Sequence, residues 1–158
     1  MKMRMHLIVL AVFTCALTSC SKESAETVNV VEKENVTEVE QNVLATVNEY
    51  RVSSGLNALK FDAVAYRYAN AHTDYMIAKG AINHDKFTAR ASALAADVTV
   101  EFVAENVAKD YANATDVFQG WLQSANHRRT MEGDFKHTAV SVKKDSGGTL
   151  YFTQIFYR

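Results

Sequence analysis

Val140-Ser141-Val142-Lys143-Lys144-Asp145-Ser146-Gly147-Gly148-Thr149-Leu150-Tyr151-Phe152-Thr153-Gln154-Ile155-Phe156-Tyr157 decides the fold class. Val140 and Val142 alternate with polar residues, Asp145-Ser146-Gly147-Gly148 carries turn chemistry, and Leu150 to Tyr157 returns rich in aromatics. This pattern predicts a β-hairpin at the C-terminus. Upstream the period changes from two to that of a helix. Asp62 is a good N-cap and Gly80 a stop signal. Between them Ala65, Tyr68, Ala69, His72 and Met76 recur at helical spacing. An earlier helix carries Val43, Leu44, Val47, Tyr50 and Arg51 and ends near Ser53-Ser54-Gly55. Thr88 to Ala96 is alanine-rich and predicts a short helix. Val98, Val100 and Phe102 alternate like a brief strand, and a further helix is expected from about Thr115 to Asn126 with Val117, Trp121 and Leu122 inward. Helices first and strands last predict an α+β layered domain.

The 158 residues suit one domain with a working core, and a net charge of −1 offers no basic field for nucleic acid. Both cysteines, Cys15 and Cys20, lie in the first twenty residues, and the chain has no proline. The remainder therefore excludes a disulfide framework, a thiol nucleophile and a cysteine-ligated zinc site. Lys2 and Arg4 precede an apolar run from His6 to Leu17, too short for a permanent membrane span, and Leu17-Thr18-Ser19-Cys20 closes it with small residues. This resembles a bacterial lipoprotein signal. The resemblance implies that residues 1–19 are a signal peptide, that cleavage falls before Cys20, and that Cys20 is lipidated. An ordinary signal peptide with an incidental cysteine is the alternative. The expected address is a lipid-anchored place in the cell envelope, at the outer membrane or cell surface rather than the inner membrane.

Residues 20–42 read as the lipidated cysteine followed by an acidic tether. Positions 21–42 hold six acidic residues against two basic ones, and their valines keep no sustained period. Such a segment would span roughly 25 Å as a flexible chain or about 70 Å extended. The other reading is an N-terminal helix packed on the domain. From Val43 onward thirteen basic residues meet twelve acidic ones, so the acidity belongs to the tether.

Chemistry-bearing residues gather in four places: His72 on a helix face, His84 in the loop after Gly80, Glu105 within Ala104-Glu105-Asn106-Val107, and His127 beside Trp121 in sequence. Three imidazoles and a carboxylate are a plausible donor set for zinc, yet the spacings include no close histidine pair. For each histidine the plain structural reading is a hydrogen-bonded side chain at the core's edge, and for His137 a surface residue.

From residue 43 to 158, Asn48-Glu49-Tyr50-Arg51, Leu59 to Phe61, Ala71-His72-Thr73-Asp74-Tyr75-Met76, His84, Ala104-Glu105-Asn106-Val107-Ala108, Trp121-Leu122-Gln123-Ser124 with His127-Arg128, and Tyr151-Phe152-Thr153-Gln154-Ile155-Phe156 follow in order. In that order and spacing the chain resembles a CAP-superfamily (SCP-like) domain. It implies a three-layer α-β-α sandwich with a cleft holding two histidines and two glutamates able to bind zinc or another divalent cation. Only His84 and Glu105 match that tetrad; Ser124 and Tyr151 stand where the others fall. The resemblance gives His84, Glu105 and His127 as metal-ligand candidates. The cleft candidates are His72, His84, Glu105, His127 and Tyr151, and the catalytic candidates are His84 and Glu105. A His84–Glu105 pair fixes the imidazole tautomer. It serves catalysis, metal binding, or the tying of a loop to the core. Three functions follow as alternatives: a monomeric binding module for a lipid, glycan or protein partner, a metal- or His/Glu-assisted hydrolase of peptide or cell-wall material, or a structural envelope protein.

Overall fold

The computed structural model describes residues 28–158. The signal peptide, Cys20 and the first residues of the expected tether lie outside the described residues. The elements are α1 (Thr37–Ser53), β1 (Lys60–Phe61), α2 (Ala63–Lys79), α3 (Phe87–Asp97), β2 (Val103–Lys109), α4 (Ala114–Gln123), α5 (Ala125–Met131), β3 (His137–Lys144) and β4 (Leu150–Tyr157). Among the described residues no helix is long and apolar enough to cross a membrane.

The four strands form one mixed sheet in the order β1-β3-β4-β2, with only the β1–β3 pair parallel. The predicted hairpin is its spine. Asp145 accepts the Gly147 and Thr149 amides on its side chain and the Gly148 amide on its carbonyl, and Gly148 takes φ +85°. Glycine adopts that left-handed conformation without steric cost. β4 is buried along its whole length, so both its faces must be covered. Its period of two assigns Phe152 and Phe156 to the core under α1 and α4, and Ile155 and Tyr157 to the core under α2. The result is an α+β domain with helices on both faces of the sheet, as expected.

The helix signals hold. Asp62 accepts the Ala65 amide at 2.8 Å as N-cap of α2, and Gly80 ends that helix in the left-handed region. Three expectations need correction. The brief strand at 98–102 falls one segment later, as β2, while Val98 and Val100 pack on the core as irregular chain. The helix expected to run through Asn126 breaks at Ser124, where ψ reaches 116°, and a second helix, α5, carries His127. Finally, the tether does not run to residue 42. α1 begins at Thr37, Asn35 bridges to Lys143, and the Lys33 amide donates to Asp74 Oδ1 at 2.9 Å. Residues 33–42 pack on the domain because Glu40, 6% exposed, finds donors in the Val142 amide, Asn35 and the Tyr66 hydroxyl.

Candidate functional site

β2 is an edge strand, and its odd residues face α2. Glu105, in its middle, is therefore drawn inward on that face, with a side chain 1% exposed. A buried carboxylate needs hydrogen-bond donors and compensating charge. Three residues from three segments converge on it. His84, in the loop after α2, donates from Nδ1 to Oε1 at 2.9 Å. Arg90, in the first turn of α3, grips the group with two nitrogens, Nε to Oε2 at 2.8 Å and Nη2 to Oε1 at 2.8 Å. Such a fork is the strongest pairing available to a carboxylate. His72, on α2, brings Nε2 to 3.6 Å from Oε1, but its hydrogen bond goes to the Asn83 carbonyl at 2.8 Å.

Local chain geometry places each partner. The Tyr75 hydroxyl donates to Asp85, the Asp85 amide donates to Asn83 Oδ1, and the Phe87 amide donates to the His84 carbonyl. The loop between α2 and α3 is thus tied down, and Arg90 Nη1 donates back to the Asp85 carbonyl. Because a carboxylate only accepts, the His84 Nδ1 carries a proton, and Nε2 is the ring nitrogen not committed to Glu105. The His84 side chain is 52% exposed. It opens on a cavity of about 290 Å3, lined also by Phe87, Val103, Ala104, Glu105 and Thr130.

Burial lowers the His72 pKa below 6.5, against a smaller opposing pull from Glu105, so the ring is held neutral. On unfolding it regains an ordinary pKa near 6.5 and takes up a proton below that pH. The unfolded state then binds more protons than the folded one, and stability falls as pH drops below about 6.5. Thermal melts are expected to show a lower Tm at pH 5 than at pH 7.5. His72→Gln keeps a donor for Asn83 and should shrink that difference; an unchanged difference would assign the pH response elsewhere.

Two other candidates make no hydrogen bond to Glu105, His84 or Arg90. His127 is on α5, and its ring sits 6.5 Å from that of Trp121, on the opposite face of β2 from Glu105. Its carbonyl accepts from Asn106 Nδ2 at 3.1 Å, and burial, then the nearby His84, lower its pKa. Tyr151 is 2% exposed and packs under α2 with Met76 and Val107. It pairs with Lys109, four residues along β2 from Glu105, or roughly 13 Å, so it does not line the His84 cavity. Among the described residues no group of three or more histidine, cysteine, aspartate or glutamate side chains is arranged to hold a metal. The donor chemistry gives the reason. The Arg90 guanidinium takes both Glu105 oxygens, so the carboxylate is not available to share a cation with His84 Nε2. The expected set of His84, Glu105 and His127 is not assembled, and the residues present do not fit a divalent ion. Zinc added to chelator-treated protein is expected to leave Tm unchanged; a rise that disappears in His84→Ala would overturn this.

Arg90 is the residue that sequence reasoning missed. It sits in an alanine-rich helix with no motif around it. The only usable signal was its position, six residues after His84.

The profile of the cysteine-rich secretory protein family, CAP, matches residues 44–156. A membrane protein of Bacillus subtilis, YlbC, is 28% identical over 123 residues, covering 75% of this chain and 34% of the relative. The chain thus spans about a third of that protein's length. Among solved structures, an outer surface protein of Borrelia burgdorferi superposes with a TM-score of 0.72 at 18% identity, covering 80% of this chain and 96% of that one. An extracellular protein of Bacillus anthracis containing an SCP domain gives 0.69 at 23% identity, over 77% of this chain and 41% of that one. A cysteine-rich secretory protein of Staphylococcus aureus gives 0.67 at 19% identity, over 78% and 39%.

Proposed function

Because the chain belongs to the cysteine-rich secretory protein (CAP) family, we propose that it is an envelope-anchored bacterial binding module whose β2-edge cleft engages a lipid, glycan or protein partner. One observation carries this reading. Arg90 and His84 take up the Glu105 carboxylate, so the cleft presents His84 Nε2 as a hydrogen-bonding atom on a rigid base. The Thr130 hydroxyl in the same lining is committed to the Asn126 carbonyl. No serine, threonine or cysteine among the described residues is hydrogen-bonded to His84 as a nucleophile would be to its base.

The membrane address rests on the signal-like N-terminus with Cys20 at its end, and on relatives described as membrane and outer surface proteins. Lipidation of Cys20 anchors the domain. Detergent phase partitioning checks it: wild type enters the detergent phase, and Cys20→Ser moves to the aqueous phase.

A second reading has its own observation. A half-exposed imidazole oriented by a carboxylate is also what a general base requires, which supports a His84–Glu105 hydrolase of peptide or cell-wall material. One experiment separates the two. Wild type, His84→Ala and Glu105→Gln are incubated with envelope-derived peptides and glycans and followed by native mass spectrometry and product analysis. The binding module retains an intact ligand that His84→Ala loses at least tenfold. Turnover abolished in Glu105→Gln selects the hydrolase, and an empty, inactive wild type overturns both.

A further inference from the structure

The opposite edge of the sheet holds a second, unrelated opening. A cavity of about 360 Å3 is lined by Glu40, Gln41 and Leu44 of α1, Phe61, Tyr66 and Val140. It lies at a gap in the outer edge of β3. At one end of the gap the Asp62 amide donates to the Thr138 carbonyl. At the other the Val36 amide donates to the Val142 carbonyl, and the Val142 amide donates to Glu40 Oε1 at 2.9 Å. Strand alternation turns the N–H and C=O of the residue between them, Val140, toward the same edge. Among the described residues neither group has a hydrogen-bond partner there. A main-chain donor and acceptor side by side, unpaired on a buried residue, mark a place where a backbone can add.

Charge says which end of a backbone fits. Glu40 is buried, and its partners are all neutral: the Val142 amide, Asn35 Nδ2, and the Tyr66 hydroxyl at 2.7 Å. Among the described residues no basic side chain pairs with it. Its place in the first turn of α1 eases this charge without neutralising it. An incoming strand antiparallel to β3 would run from the Val142 end toward Thr138. Its amino terminus would then arrive beside Glu40, and Val36 would stop it from extending further. The run from Thr138 to Val142 is about 13 Å, room for about three extended residues. The side walls, Leu44, Phe61 and Tyr66, are apolar or aromatic.

We propose that this gap in the β3 edge binds the free amino terminus of an extended apolar peptide, with its ammonium on Glu40 and one residue paired with the Val140 backbone. The mode is strand addition limited to a chain end. It is independent of the β2-edge cleft.

The test uses Leu-Ala-Ala and its N-acetylated form as probes, with amide NMR of the purified protein. Before any peptide is added, the Val140 amide should exchange with solvent faster than those of Ala139 and Ser141. Leu-Ala-Ala should then shift the Val140 and Val142 amides saturably, and the acetylated peptide should bind at least tenfold more weakly. Leu44→Trp, with Gln41→Trp as a second way to fill the cavity, should abolish the shifts, while His84→Ala should keep them. A protected Val140 amide, equal binding of the two peptides, or shifts produced by decanoate and not by peptide would each overturn the proposal.

Discussion

Arg51→Met is expected to remove about 4 kcal/mol of stability, read as a fall in the urea midpoint. Arg51 is 0% exposed near the end of α1, and its guanidinium works as a connector for irregular chain. Nε donates to the Asn57 carbonyl at 2.9 Å, and Nη1 to the carbonyls of Met131 and Gly133 at 2.6 and 2.9 Å. Nη2 reaches Asn57 Oδ1 and the Phe135 carbonyl. One side chain thus closes the turn after α1 onto the segment joining α5 to β3. Methionine fills similar space but leaves these carbonyls buried without donors, at about 1–3 kcal/mol each before relaxation. Arg51→Lys should recover only part, because one ammonium cannot satisfy a fork spread over so many acceptors. A loss under about 1 kcal/mol for Arg51→Met would refute this role.

Lys143→Met is expected to cost about 3–5 kcal/mol, because it leaves Asp74 charged and buried. The Lys143 ammonium, on the α2 face of β3, meets Asp74 Oδ2 at 2.7 Å with side chains 0% and 6% exposed. The other oxygen, Oδ1, accepts the Lys33 amide, so this pair also holds the segment leading into α1. Adding Asp74→Leu to Lys143→Met should restore much of the loss, since a packed apolar pair avoids the desolvation of both ions. The double variant should still release the segment near Lys33, visible as faster proteolysis there. A double variant no more stable than Lys143→Met would show that the apolar pair does not pack in this site.

What was legible in the sequence is what local chemistry enforces. Asp62 and Gly80 bracket α2 because a cap and a left-handed stop act within one turn. The C-terminal hairpin shows because alternation and Gly147-Gly148 signal together. β2 was misplaced because its central residues, Glu105 and Asn106, are polar. Their partners, Arg90, His84 and the His127 carbonyl, come from other elements. The alternation of Val98 and Val100 is that of irregular chain packing on the core. The break at Ser124 carried no glycine or proline to announce it. Residues 33–42 looked like a solvated acidic tether because the donors that bury Glu40 lie up to 102 positions away.

The same division runs through the site. The sequence by itself determined an α+β domain of the CAP type, free of thiol chemistry after Cys20, with His84 and Glu105 as its chemical pair. Helix caps, strand alternation and residue identity are local, and they survive being read one position at a time. Only the tertiary structure decided that Arg90 claims Glu105, that Tyr151 packs away from that pair, and that β3 keeps an unpaired rung at Val140. Each of these depends on which groups are left after distant segments have satisfied one another's charges and hydrogen bonds. That outcome is fixed by the packing of helices on both faces of the sheet, and no spacing along the chain encodes it.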